Sequence, residues 1–157
     1  MTVIERPAAT LAVATPERTL HRDLVVTTAQ VLALNAAPIT IVPAPGASLA
    51  LIFEGAVIHK PAGTAYAGIA AGEDLSVKYT DESGLEVAEC ETTGFLDQTT
   101  AQTRYVRPHT AASAISSLTP TANAALVLHL LVGEIITGDS DLHVRYFYRV
   151  VPATTFA

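Results

Sequence analysis

Pro38-Ile-Thr-Ile-Val-Pro-Ala-Pro-Gly-Ala-Ser-Leu-Ala-Leu-Ile-Phe-Glu-Gly-Ala-Val-Ile-His-Lys60 is the stretch whose reading decides the fold. Two apolar runs, 39–42 and 49–58, flank Pro43-Ala44-Pro45-Gly46, where two prolines preset φ and a glycine admits the positive φ of a tight reversal. Both runs are too short for a membrane span and too β-branched for a helix. They read as neighbouring strands of an antiparallel core.

Working outward, residues 24–27 read as a short strand, followed by a helical turn over 28–34 with Thr27 or Thr28 as N-cap and Asn35 as terminator before Pro38. After the central stretch, 60–64 is a turn, and the small, Gly-rich run 65–72 suits a crossing loop better than a packed element. Leu75, Val77 and Tyr79 fall on one face of an alternating strand, and Asp81-Glu82-Ser83-Gly84 turns the chain into 85–90, a hairpin. Residues 94–108 are rich in Thr and Gln, with Phe95, Leu96, Tyr105 and Val106 as anchors and at most a short helix at 95–99.

The near-continuous apolar run 123–132 is expected of a central strand, and 137–141 reverses the chain into 142–151. There Leu142, Val144, Tyr146, Tyr148 and Val150 share one face, predicted to meet the core. His143, Arg145, Phe147 and Arg149 share the other, predicted to face solvent or a partner. Seven or eight short strands with little helix predict a mainly β chain, an antiparallel β-sandwich or jelly-roll-like barrel over 23–152 with a short tail at 153–157.

Residues 1–22 read differently. Pro7 and Pro16 interrupt them and no period is visible, so they form an extended arm. Such a segment buries too little to order in isolation. The other reading is an arm that orders on a neighbouring subunit through Val3, Ile4, Arg6, Leu11 and Val13.

At 157 residues the chain fits one domain with its own core. Half of its residues are hydrophobic, 15% are charged, and there is no Trp, so Ala, Val, Leu and Ile supply most of the apolar share. With a mean hydropathy of +0.38, this is less charge than a soluble monomer needs, and it suggests surface covered by other subunits. A net charge of −6, with nine scattered basic residues, argues against a nucleic-acid partner. Cys90 is the only cysteine, which excludes an internal disulfide and a Cys-based zinc site and fits assembly in a reducing cytoplasm. No signal segment or bilayer-length apolar run is visible, so no membrane partner is expected.

Chemistry is hard to find in the pattern. His21, His59, His109, His129 and His143 share no ligand spacing, so no metal is expected, and His129 is placed on an exposed or half-buried side of its strand. Gly138-Asp-Ser-Asp-Leu-His143 gathers Ser, Asp and His, but alternating side chains diverge along a strand and neither a nucleophile elbow nor an oxyanion loop precedes the serine. Asp81, Glu82, Glu86, Glu89 and Glu91 read as a solvated acidic hairpin, with no calcium-loop spacing. Gly63, Gly68 and Gly72 lack phosphate-loop spacing. No catalytic residue, cofactor or small-molecule substrate is expected.

The succession of residues 32–47, then Gly63-Thr64-Ala65-Tyr66, then Asn123-Ala-Ala-Leu-Val-Leu, then Gly138-Asp139 followed by Val144-Arg145-Tyr146, resembles the head decoration, or cement, proteins of tailed bacteriophages. The likeness is a pattern of turns and strands over roughly residues 24–151. It implies a virion protein on the capsid outer surface, assembled in a host bacterial cytoplasm and bridging major capsid protein subunits as a homotrimer. Another phage subunit, of tail or head fibre, or a carbohydrate-binding jelly-roll module, would share the same composition.

Overall fold

The computed structural model of the protein describes residues 18–108 and 119–156. Among the described residues eight strands succeed one another: β1 Leu20–Val26, β2 Ile39–Val42, β3 Leu49–Lys60, β4 Leu75–Tyr79, β5 Glu86–Cys90, β6 Gln102–Val106, β7 Leu126–Leu130 and β8 Leu142–Pro152. One short helix, α1 (Thr28–Leu32), joins β1 to β2, and a 3-10 turn, Ala153–Phe156, follows β8. The strands form two four-stranded sheets, sheet A in the order β1-β8-β3-β6 and sheet B in the order β2-β7-β4-β5. All ladders are antiparallel.

The pairs β1 with β8, β2 with β7, β3 with β6 and β4 with β5 are nested, like one long hairpin with its tip between β4 and β5, wrapped so that alternate pairs fall in opposite sheets. This is the jelly-roll form of the β-sandwich. The sandwich read from the sequence is the observed fold.

One detail of that reading is overturned. Runs 39–42 and 49–58 do become strands, with β3 running on to Lys60, but they are not neighbours: β2 pairs with β7, while β3 pairs with β8 and β6. Pro43 and Pro45 have no N–H to give a two-stranded ladder, and the connector carries the chain across the core from one sheet to the other. Its Gly46 N–H donates instead to Asn123 Oδ1 at 3.1 Å, and the N–H of Asn123, just before β7, donates to Leu49 O at 2.8 Å.

Leu51, Phe53, Ile58, Leu142, Val144 and Tyr146 from sheet A meet Ile41, Leu75, Val77, Tyr79, Leu126, Leu128 and Leu130 from sheet B in one buried cluster. In β8 the alternation holds as far as Tyr146, with His143 and Arg145 exposed; Phe147 to Val150 are all half-buried. The register slips at this level, where β3 bulges between Phe53 and Gly55. Gly55 supplies the positive φ (149°), and a Cβ there would stand 2.9 Å from Val106 O.

Other expectations divide. Thr27 caps α1 through a capping box with Gln30, whose side chain accepts from the Thr27 N–H at 2.9 Å. The β4–β5 hairpin forms as read. No helix forms at 95–99, although Phe95 and Leu96 are fully buried. Tyr105, expected as an anchor, is 79% exposed because β6 is an edge strand and turns it outward. Tyr66 is buried although its run is a loop, and His129 is only 6% exposed because β7 is covered on both faces. β1 begins at Leu20, so residues 20–22 of the leading segment are strand.

Candidate functional site

The outward residues of sheet A line up in rows set by register. One row is Val25, His143, His59 and Thr103; the next is Asp23, Arg145, Val57 and Tyr105; a third is His21, Phe147 and Gly55. The four residues predicted to face a partner, His143, Arg145, Phe147 and Arg149, all lie on this face, the first two exposed and the other two half-buried. An open groove of about 520 Å³ crosses it, lined by Asp23, Val25, Val57, His143, Arg145 and Phe147 among others.

The charges of this face are paired internally. Arg145 holds Asp23 in a bidentate bridge, Nε to Oδ1 at 2.7 Å and an Nη to Oδ2 at 2.8 Å. The guanidinium's hydrogen bond keeps the Asp23 carboxyl below the usual carboxylate range, and Asp23 in turn raises Arg145. Arg149 Nε lies 2.5 Å from Glu54 Oε1, and the Thr19 hydroxyl donates to Glu54 Oε2 at 2.6 Å. Between these pairs stand Val25, 47% exposed, Tyr105, and the half-buried Val57 and Phe147. The face is therefore mixed, with Val25, Val57, Tyr105 and Phe147 set among histidines and internally paired charges.

His59 and His143 meet directly across β3 and β8, ring centroids 6.4 Å apart and planes inclined by 44°. His59 Nδ1 is 2.9 Å from Thr103 Oγ1. No local spacing could reveal this pair. The alternation of β8 gave its own outward residues, whereas Val25, Val57, His59 and Tyr105 join them only through register.

The residues of the other sequence clusters are held by hydrogen bonds within the chain. Asp139 accepts from Thr64 N–H at 2.6 Å and from the Thr64 hydroxyl at 2.7 Å, contacts that hold its carboxyl below the usual range. Asp141 Oδ1 accepts from the Thr28 N–H at 2.7 Å, tying the start of β8 to α1. Ser140 between them is buried, its hydroxyl 3.5 Å from Asp139, while His143 lies out on the sheet A face. In the acidic hairpin Glu86 accepts from the Ser76 hydroxyl at 2.8 Å, and Lys78 Nζ donates to Glu82 O at 2.7 Å. Burial pushes the Cys90 thiol up to about 11, away from the thiolate a nucleophile needs.

Among the described residues no three His, Cys, Asp or Glu side chains converge, and no helix is long and apolar enough to cross a membrane. On the loop after β7, Val132 and Ile136 are 53% and 71% exposed. Val3, Ile4, Arg6, Leu11 and Val13 lie outside the described residues. Comparison with protein-family models, with curated proteins and with solved structures returned no match.

Proposed function

We propose that this chain is a virion structural protein of the cement type, which binds the outer surface of a tailed-phage capsid and bridges major capsid protein subunits through the outer face of sheet A. The observation that carries the reading is that face: Val25, Val57, Phe147 and Tyr105 are set among ion pairs already satisfied within the chain, so docking need not strip water from an unpaired charge. The resemblance over residues 24–151 supplies the partner and the location, and the low charge content agrees with a surface that neighbouring subunits cover. As a homotrimer the protein would present three such faces at once, so modest single contacts would add through avidity. A ligand of the mature shell alone stabilises that shell by mass action.

The test is co-sedimentation of the purified chain with expanded tailed-phage capsids assembled from purified major capsid protein. Wild type pellets with the shells and raises their thermal midpoint; Phe147→Asp and Val57→Asp each weaken retention by about tenfold or more. A chain that ignores expanded shells, or face variants that pellet as well as wild type, overturns the proposal. Saturable binding to a glycan array, lost in the same variants, would replace it with a carbohydrate-binding module. Removing residues 2–17 stops short of β1, and that variant is expected to fold but to be retained less.

A further inference from the structure

We propose that His59 and His143 form a two-histidine chelate for a divalent transition metal of the zinc, nickel or copper class on the outer face of sheet A. This inference is independent of the capsid reading. The two residues are register partners on neighbouring antiparallel strands, an arrangement that points both side chains to the same side of the sheet. Metal–nitrogen bonds of about 2.0–2.1 Å at a tetrahedral angle bring two imidazole centres to roughly 5 Å. The rings stand 6.4 Å apart, and His143 is exposed, so a small torsional adjustment within its rotamer closes the gap.

The surroundings favour ligation. Thr103 Oγ1, 2.9 Å from His59 Nδ1, can accept a hydrogen bond from the Nδ1–H tautomer, which leaves the Nε2 lone pair for the metal, as outer-sphere partners of metal-bound histidines do. Arg145, two residues along from His143, would repel a cation, but Asp23 neutralises it through the bidentate bridge. Imidazole suits the borderline metals, and neither a carboxylate nor a thiolate is needed to begin the site. Two protein nitrogens leave the remaining coordination positions to water or to a donor from whatever docks on this face.

Zn²⁺ is titrated by calorimetry into the full chain after chelator treatment, and Cu²⁺ is followed by electron paramagnetic resonance. The wild type is expected to take one equivalent of Zn²⁺, with His59→Gln and His143→Gln each weakening it by about tenfold or more, Thr103→Val by a few-fold, and His21→Gln leaving it unchanged. The copper spectrum of the wild type is expected to report two coupled ring nitrogens, and that of each single variant one. Equal Zn²⁺ affinity in wild type and in the His59→Gln/His143→Gln double variant overturns the proposal, as does a wild-type copper spectrum with a single nitrogen. If one variant fails to fold, the other variant's loss of one coupled nitrogen still assigns its ring, and a single-nitrogen spectrum of wild type overturns the proposal without either.

Discussion

Tyr66 ties three segments together from within a loop. Its N–H donates to Leu96 O at 3.0 Å, its hydroxyl donates to Ser140 O, and its ring lies where any Cβ on Gly138 would have to go. Burial raises its phenol above the ordinary value, so it remains a donor. Tyr66→Phe would leave the buried Ser140 carbonyl short of a partner and cost about 1–2 kcal/mol. Gly138→Ala, at a φ of 152° and against the ring, is expected to cost about 1–3 kcal/mol. Urea unfolding of the two variants measures both figures.

His129 makes the pH prediction. Its ring is buried on the outer side of β7, Nε2 is 3.2 Å from Asn35 O, and Nδ1 has no partner among the described residues. Burial lowers its pKa from the ordinary 6.5; the Lys78 ammonium lowers it further, while Asn35 O and Glu82 act in the opposite sense. The unfolded chain therefore takes up this proton at a higher pH than the folded one. Stability is complete above 6.5 and falls as pH drops from there through the folded value. His129→Gln cannot bind that proton, so its urea midpoint should change less than that of wild type between about pH 7.5 and about pH 5.5.

At the scale of elements, α1 is five residues long and rests on its cap. Thr27→Ala removes one half of the capping box and should cost about 1 kcal/mol, a fall of about 2–4 °C in Tm on a thermal scan. The Thr28 N–H stays bound to Asp141, which keeps the helix in place. This cap was legible in the sequence because its signals are local, as were the β4–β5 hairpin and the alternation of β8. β6 was not: Gln102-Thr-Arg-Tyr-Val106 is an edge strand whose alternating residues are polar or exposed, so no apolar stripe marks it. The pairing of β2 and β3 was misread because a Pro-Ala-Pro-Gly connector has the residues of a turn whether it joins neighbours or crosses between sheets.

For the whole molecule, fold class was readable because strand count and turn spacing survive errors at single elements. The candidate face was half readable. His143, Arg145, Phe147 and Arg149 share one strand, but Val25, Val57, His59, Thr103 and Tyr105 come from three others, and long-range register, invisible in a single sequence, brings them together. The buried Lys60 is another case. It reads as a turn residue, yet its Nζ donates to Gln98 O at 2.7 Å and to Pro61 O at 3.3 Å, and burial lowers its pKa.

The order β1-β8-β3-β6 puts β8 between β1 and β3. On the ribosome, β1 emerges early and has no ladder partner until residues 142–148 have been made, on the order of ten seconds later at ordinary elongation rates. Throughout that interval the nascent chain carries an unzipped edge, so translation speed and holdase chaperones, more than the stability of the finished protein, should govern how much of it is recovered in soluble form.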